Sequence, residues 1–141
     1  MARWRFMTQA HAPPGSYGDC WAACIESLID DGDECPRPSQ LNMEGDTYFD
    51  EVSSWLAKKG LAVARIYMDG STRVLFAGWE QALYIATGPR LGGSADQRHC
   101  CVYRGPQLHH DPAQGGTQGL SSIAWVEFLF PADPTRGPNV G

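Results

Sequence analysis

The sequence predicts an α+β domain, with helices first and an antiparallel sheet after them. Three observations lead there. Cys20, Trp21, Cys24, Ile25, Leu28 and Ile29 recur at helical spacing, and so do Tyr48, Val52, Trp55 and Leu56. From Leu61 onward the apolar residues fall instead into short β-rich runs separated by Asp69-Gly70, Gly88-Pro89 and Gly105-Pro106. No second composition block or internal repeat interrupts a chain of 141 residues, a length that suits one domain with a real core.

The elements follow in order. Trp4 to Met7 reads as a short first strand with Gln9 at its end, and residues 10–18 form a Pro/Gly loop. A helix then starts at Cys20, with Asp19 as its N-cap, and ends near Asp30-Asp31-Gly32. Residues 33–46, carrying Pro36 and Pro38, read as loop. The second helix runs from an Asp46 cap, with Asp50 and Glu51 early, Lys58 and Lys59 late and Gly60 past its end, as the macrodipole favours. Strands are expected at Leu61–Met68, Arg73–Ala77 and Leu83–Ala86. The loop 88–97 delivers the chain to a strand opening Arg98-His99-Cys100-Cys101-Val102-Tyr103, which turns at Gly105-Pro106 into Gln107-Leu108-His109-His110-Asp111. A flexible loop over 115–119 and a last strand over Ile123–Phe130 complete the domain, taken as residues 1–130, with 131–141 as a flexible tail.

Composition limits the function. Apolar residues make up 43% and charged residues 19%, which fits a globular protein. A net charge of −5 offers no basic patch, so neither nucleic acid nor anionic lipid is an expected partner. No apolar run approaches the ~18 residues that span a bilayer, and Met1 to Ala10 lacks the apolar stretch of a signal peptide. Five cysteines are an odd number without framework spacing, which points to a reducing, cytoplasmic setting.

Cys20 stands out among those five. In the first turn of a helix, unpaired N–H groups and the macrodipole favour an anion, the setting in which a thiol becomes a thiolate near neutral pH. Downstream come His99 at a strand start and Asp111 at the end of the next strand. Cysteine, then histidine, then acid is the chain order of cysteine hydrolases whose triads meet only in space. His109 and His110 compete with His99 for the base. Cys24 reads as core, and Cys100 and Cys101 alternate across a strand, so that one faces the core and the other can line a cleft.

At the blocks Asp19-Cys20-Trp21-Ala22-Ala23-Cys24, His99-Cys100-Cys101-Val102-Tyr103 and His109-His110-Asp111-Pro112, the chain resembles the papain-like cysteine peptidases. It is similar to the leader-processing peptidases of bacteriocin exporters and to small papain-like proteins of bacteria and their phages, over roughly residues 16–120. The resemblance implies a minimal papain-like fold, N-terminal helices on a C-terminal antiparallel sheet, with Cys20 as nucleophile, His99 as base and Asp111 as orienting acid. It implies a peptide or protein substrate, cleaved at a peptide, isopeptide or other amide bond through a thioester. The oxyanion would be held by the Cys20 backbone N–H and by Gln9, which stands farther from the cysteine than the leader peptidases' glutamine, while Trp21 replaces their frequent glycine. The alternative is a scaffold without catalysis that grips a partner protein, as in a phage–host contact. Cys20, Cys24, His99, Cys100, His109 and His110 are soft donors, but no C-x2-C pair exists, so neither metal nor cofactor is expected.

Overall fold

The computed structural model describes residues 19–38, 45–68, 78–92, 98–113, 119–133 and 135. The expected strands at Trp4–Met7 and Arg73–Ala77, and Gln9, lie outside them.

Two helices precede most of the sheet: α1 spans Cys20–Ile29 and α2 spans Gly45–Lys58. Five strands follow, β1 (Leu61–Tyr67), β2 (Leu83–Pro89), β3 (Arg98–Arg104), β4 (Gln107–His110) and β5 (Trp125–Pro131), with a 3-10 turn at Trp79–Gln81 before β2. They form one sheet in the order β1-β5-β2-β3-β4, antiparallel throughout. The α+β reading therefore holds. No helix among the described residues is long and apolar enough to cross a membrane.

Element boundaries follow local chemistry. Asp30 ends α1 in the left-handed region (φ 56°) and returns its N–H to the Glu26 carbonyl, a conformation that aspartate tolerates better than most residues. Gly60, at φ 74°, makes the turn from α2 into β1. Two proline-marked ends fall later than expected. β2 continues through Gly88 and Pro89, and β5 through Pro131, which pairs with Leu61. Each proline closes its strand, where a missing N–H costs little.

The sheet separates two apolar layers. Ile25, Val52, Leu56, Ile85 and Val102 fill the layer between helices and sheet, while Tyr84, Ala86, Ile123 and Val126 pack on the opposite face. Trp21 lies in the joint between the helices, stacked on Phe49 at 5.7 Å and edge-on to Tyr48 at 5.7 Å.

α1 is buried beyond its apolar stripe. Ala22, Ala23, Glu26 and Ser27 are also buried, and residues 35 and 37 fold back to bond Glu26 and Asp19. Arg37 is the clasp. Its Nη1 and Nη2 each donate to Glu26 at 2.9 Å, and its Nε donates to Asp19 at 2.8 Å. Glu26 also accepts the Cys35 N–H at 2.9 Å. These partners satisfy two carboxylates that burial would otherwise penalise heavily.

Removing Arg37 strands both acids. Arg37→Ala is expected to cost about 3–5 kcal/mol in urea unfolding, whereas Lys58→Ala on the exposed end of α2 stays within about 0.5 kcal/mol. An Arg37→Ala loss below ~1 kcal/mol would mean that water satisfies the two carboxylates.

Candidate active site

Cys20 is the first residue of α1, so its backbone N–H is among those the helix itself leaves without an acceptor. Asp19 stands at the N-cap position, and its carbonyl accepts the Ala23 N–H at 3.0 Å. Its side chain does not cap, contrary to expectation. The carboxylate is held by Arg37 instead, a partner whose full charge outbids a backbone dipole.

His99 is the second residue of β3 and faces Gly88 across the ladder. A Cβ at position 88 would lie 2.1 Å from the Ser122 carbonyl oxygen, so only glycine lets the chain before β5 cross here. The Ser121 N–H to Pro89 carbonyl bond (2.9 Å) and the Ala124 N–H to Thr87 carbonyl bond (2.7 Å) fix that crossing.

Asp111 reaches His99 because the β3–β4 ladder is irregular. Tyr103 pairs with Leu108, but Val102 pairs with His110, so one extra residue, His109, is taken up between them. Such a slip moves every later side chain to the other face of the sheet. Without it His110 would lie opposite Cys101 and Asp111 opposite Cys100. With it, Asp111 follows on to the face that carries His99 and Cys101. Of the two competing histidines, His110 is buried opposite Val102 and His109 is exposed at the bulge.

The resulting contact is short and dry. His99 Nε2 and Asp111 Oδ1 lie 2.7 Å apart, with 3% and 1% of their side chains exposed. Backbone donors complete the carboxylate: the Ala113 N–H reaches Oδ1 at 3.0 Å and the Gly119 N–H reaches Oδ2 at 3.2 Å. Gly119 sits at φ 74°, and a Cβ there would come within 2.8 Å of the Tyr103 hydroxyl, which itself accepts the Leu120 N–H. So Asp111 does initiate a turn, as an Asp before proline suggests, while also holding the imidazole.

Charge follows from these contacts. Burial alone would lower the His99 value from its ordinary 6.5, but hydrogen bonds to Asp111, Cys101 and Cys20 and the Cys20 charge raise it to about 11. Burial would raise Asp111, yet the His99 bond and the two N–H donors bring it down to about 2. The other four thiols are all held protonated. Burial raises Cys24 well above 9.0, Cys35 to about 12 and Cys101 above its ordinary value, while Cys100 is raised first by its hydrogen bond to Cys20 and then by burial.

The structure thus brings Cys20, His99 and Asp111 together, in the arrangement that lets a thiol exchange its proton with an imidazole steadied by an acid. Cys100 joins the core between helices and sheet, with Sγ 3.2 Å from Thr87 Oγ1. Cys101 is the member not singled out in advance. It interacts with His99, and the donor atoms of His99, Cys101 and Asp111 all lie within 4.8 Å of one another. Its signal was in the sequence, since residues two apart on a strand share a face. Compared with protein-family models, curated proteins and solved structures, the chain matches none.

The pair carries a pH signature. Asp111 is depressed, so its stabilisation is complete above its ordinary 3.8 and is lost as pH falls toward about 2. His99 is raised, so its stabilisation is complete below 6.5 and is lost as pH rises toward about 11. The urea midpoint gap between wild type and His99→Gln is therefore expected to be widest from pH 3.8 to 6.5 and to close on the alkaline side. A gap unchanged up to pH 10 would show that the folded imidazole carries no charge.

Proposed function

We propose that this chain is a papain-like thiol hydrolase that cleaves an amide bond in a peptide or protein. The observation that carries the reading is the buried His99–Asp111 pair, 2.7 Å apart, meeting a cysteine at the first position of a helix. The α+β architecture, with the cysteine helix packed on the strand that bears the histidine, supports it.

The reaction uses three groups and no metal. His99 takes the Cys20 proton and keeps it as imidazolium, its charge balanced by Asp111. The thiolate attacks the acyl carbon, and the oxyanion that forms meets the Cys20 backbone N–H at the start of α1. Imidazolium then protonates the departing amine, leaving a thioester on Cys20. Water, deprotonated by His99, attacks that thioester and releases the acid, which restores the thiol. Gln9, the side-chain candidate for the oxyanion, lies outside the described residues.

Alkylation tests the reading without a known substrate. Sub-stoichiometric iodoacetamide is expected to label Cys20 ahead of Cys24, Cys35, Cys100 and Cys101, and His99→Ala should move that labelling to higher pH. Because Cys20 is only 4% exposed, iodoacetamide should outrun a bulky maleimide at this residue. On a cleaved substrate, His99→Ala should lower kcat by about 10²–10⁴. Equal labelling of Cys20 and the four other thiols would sink the hydrolase reading.

A further inference from the structure

The hydrolytic cycle leaves four buried thiols unused, and one of them, Cys101, lies against its base. Cys101 is fully buried, yet it lies beside His99 on the same strand face and within 4.8 Å of both the imidazole and the Asp111 carboxylate. An apolar residue would fill that volume without placing a thiol against the proton carrier.

We infer that His99, Cys101 and Asp111 form a binding site for a thiophilic divalent cation of the zinc type, with Cys20 as the fourth ligand. The donor set, one imidazole nitrogen, two sulfurs and one carboxylate oxygen, is of the kind such ions take at four-coordinate sites. Zinc bonds of about 2.0–2.3 Å place tetrahedral ligand atoms roughly 3.3–3.8 Å apart. Donors already within 4.8 Å reach those separations by shifts of about 1 Å, the His99–Asp111 pair opening from its 2.7 Å contact. Cys20 lies outside this three-donor group but interacts with the same imidazole, so its sulfur is the neighbour that would swing in as the fourth ligand.

Binding is proton exchange. The cation displaces two protons to solvent, the one that Cys20 and His99 share and that of the Cys101 thiol, and nothing is oxidised or reduced. Affinity therefore falls as pH falls. The ion occupies the thiolate and the base together, so it switches off the nucleophile reversibly. Inhibition rests on the triad reading, whereas the binding itself does not.

Cobalt(II) serves as the spectroscopic probe for the reduced full chain. One equivalent is expected to give a thiolate-to-cobalt charge-transfer band that zinc removes, retained in Cys24→Ser and lost in Cys101→Ser. Cys101→Ala repeats the measurement should the buried hydroxyl disturb folding. Zinc at 100 times its Kd should slow iodoacetamide at Cys20 about 100-fold in wild type and leave Cys101→Ser close to its metal-free rate. No charge-transfer band in wild type, a band that survives in both Cys101 variants, or zinc protection equal in wild type and Cys101→Ser would overturn the inference. The band is read without a substrate, so failure of the hydrolase reading would show separately, in unselective labelling of metal-free Cys20.

Discussion

A one-residue slip in the β3–β4 ladder decides which side chain meets His99. Strand alternation is strict, so the identity of the group beside the imidazole depends on whether the hairpin counts evenly. Counted evenly, it would present His110, and two imidazoles side by side share no stabilising charge. Taking up His109 at the bulge presents Asp111, which can hold an imidazolium. The backbone then finishes the work through Ala113 and Gly119, so the carboxylate arrives fully solvated by the protein. A sheet defect of this kind bends the strand and re-aims a side chain in one move, which is why such irregularities suit the rims of sites.

The Cys20 side is built on a different constraint. α1 begins where a buried acid, Asp19, immediately precedes Cys20, and an unpaired carboxylate there would oppose a thiolate through the low-dielectric interior. Arg37 neutralises it and in the same gesture ties residues 30–38 to Glu26, two turns further along the helix. Placement of the thiol and control of its electrostatic surroundings thus come from one guanidinium. The fork geometry matters, because three donors serve two acids in fixed directions, which a lysine could not copy.

The helices and most strands were legible because burial on one side imprints its period on the chain. The stripe Cys20, Trp21, Cys24, Ile25 and the segment Arg98–Tyr103 announce themselves in that way, and Cys20, His99 and Asp111 could be picked by residue type and order. What stayed hidden depends on contacts far apart in sequence. Nothing local pairs Arg37 with Glu26, 11 residues away, or with Asp19, 18 away, so the acid was taken for a helix cap. The bulge carries no glycine to mark it, since the residue taken up is His109. Pro89 and Pro131 were taken for breakers because their signature is the same whether they close a strand or prevent one. The pairing of β1 with β5 joins strands some sixty residues apart, where pattern says only that each wants a partner.

Five reduced cysteines, all buried, pose a problem of selectivity that the fold answers by position. Burial by itself is indiscriminate: it keeps Cys24, Cys35 and Cys101 protonated and chemically quiet. Cys100 is raised first by its hydrogen bond to Cys20 and then by burial. Only Cys20 combines a helix start with an imidazole whose protonated form Asp111 favours against the cost of burial. Cys101 shares the imidazole but lies mid-strand in β3, paired with Ala86, and not at a helix start. The proposed function makes the same histidine a base for Cys20 and merely a neighbour of Cys101, and the proposed ion would draw both sulfurs to itself.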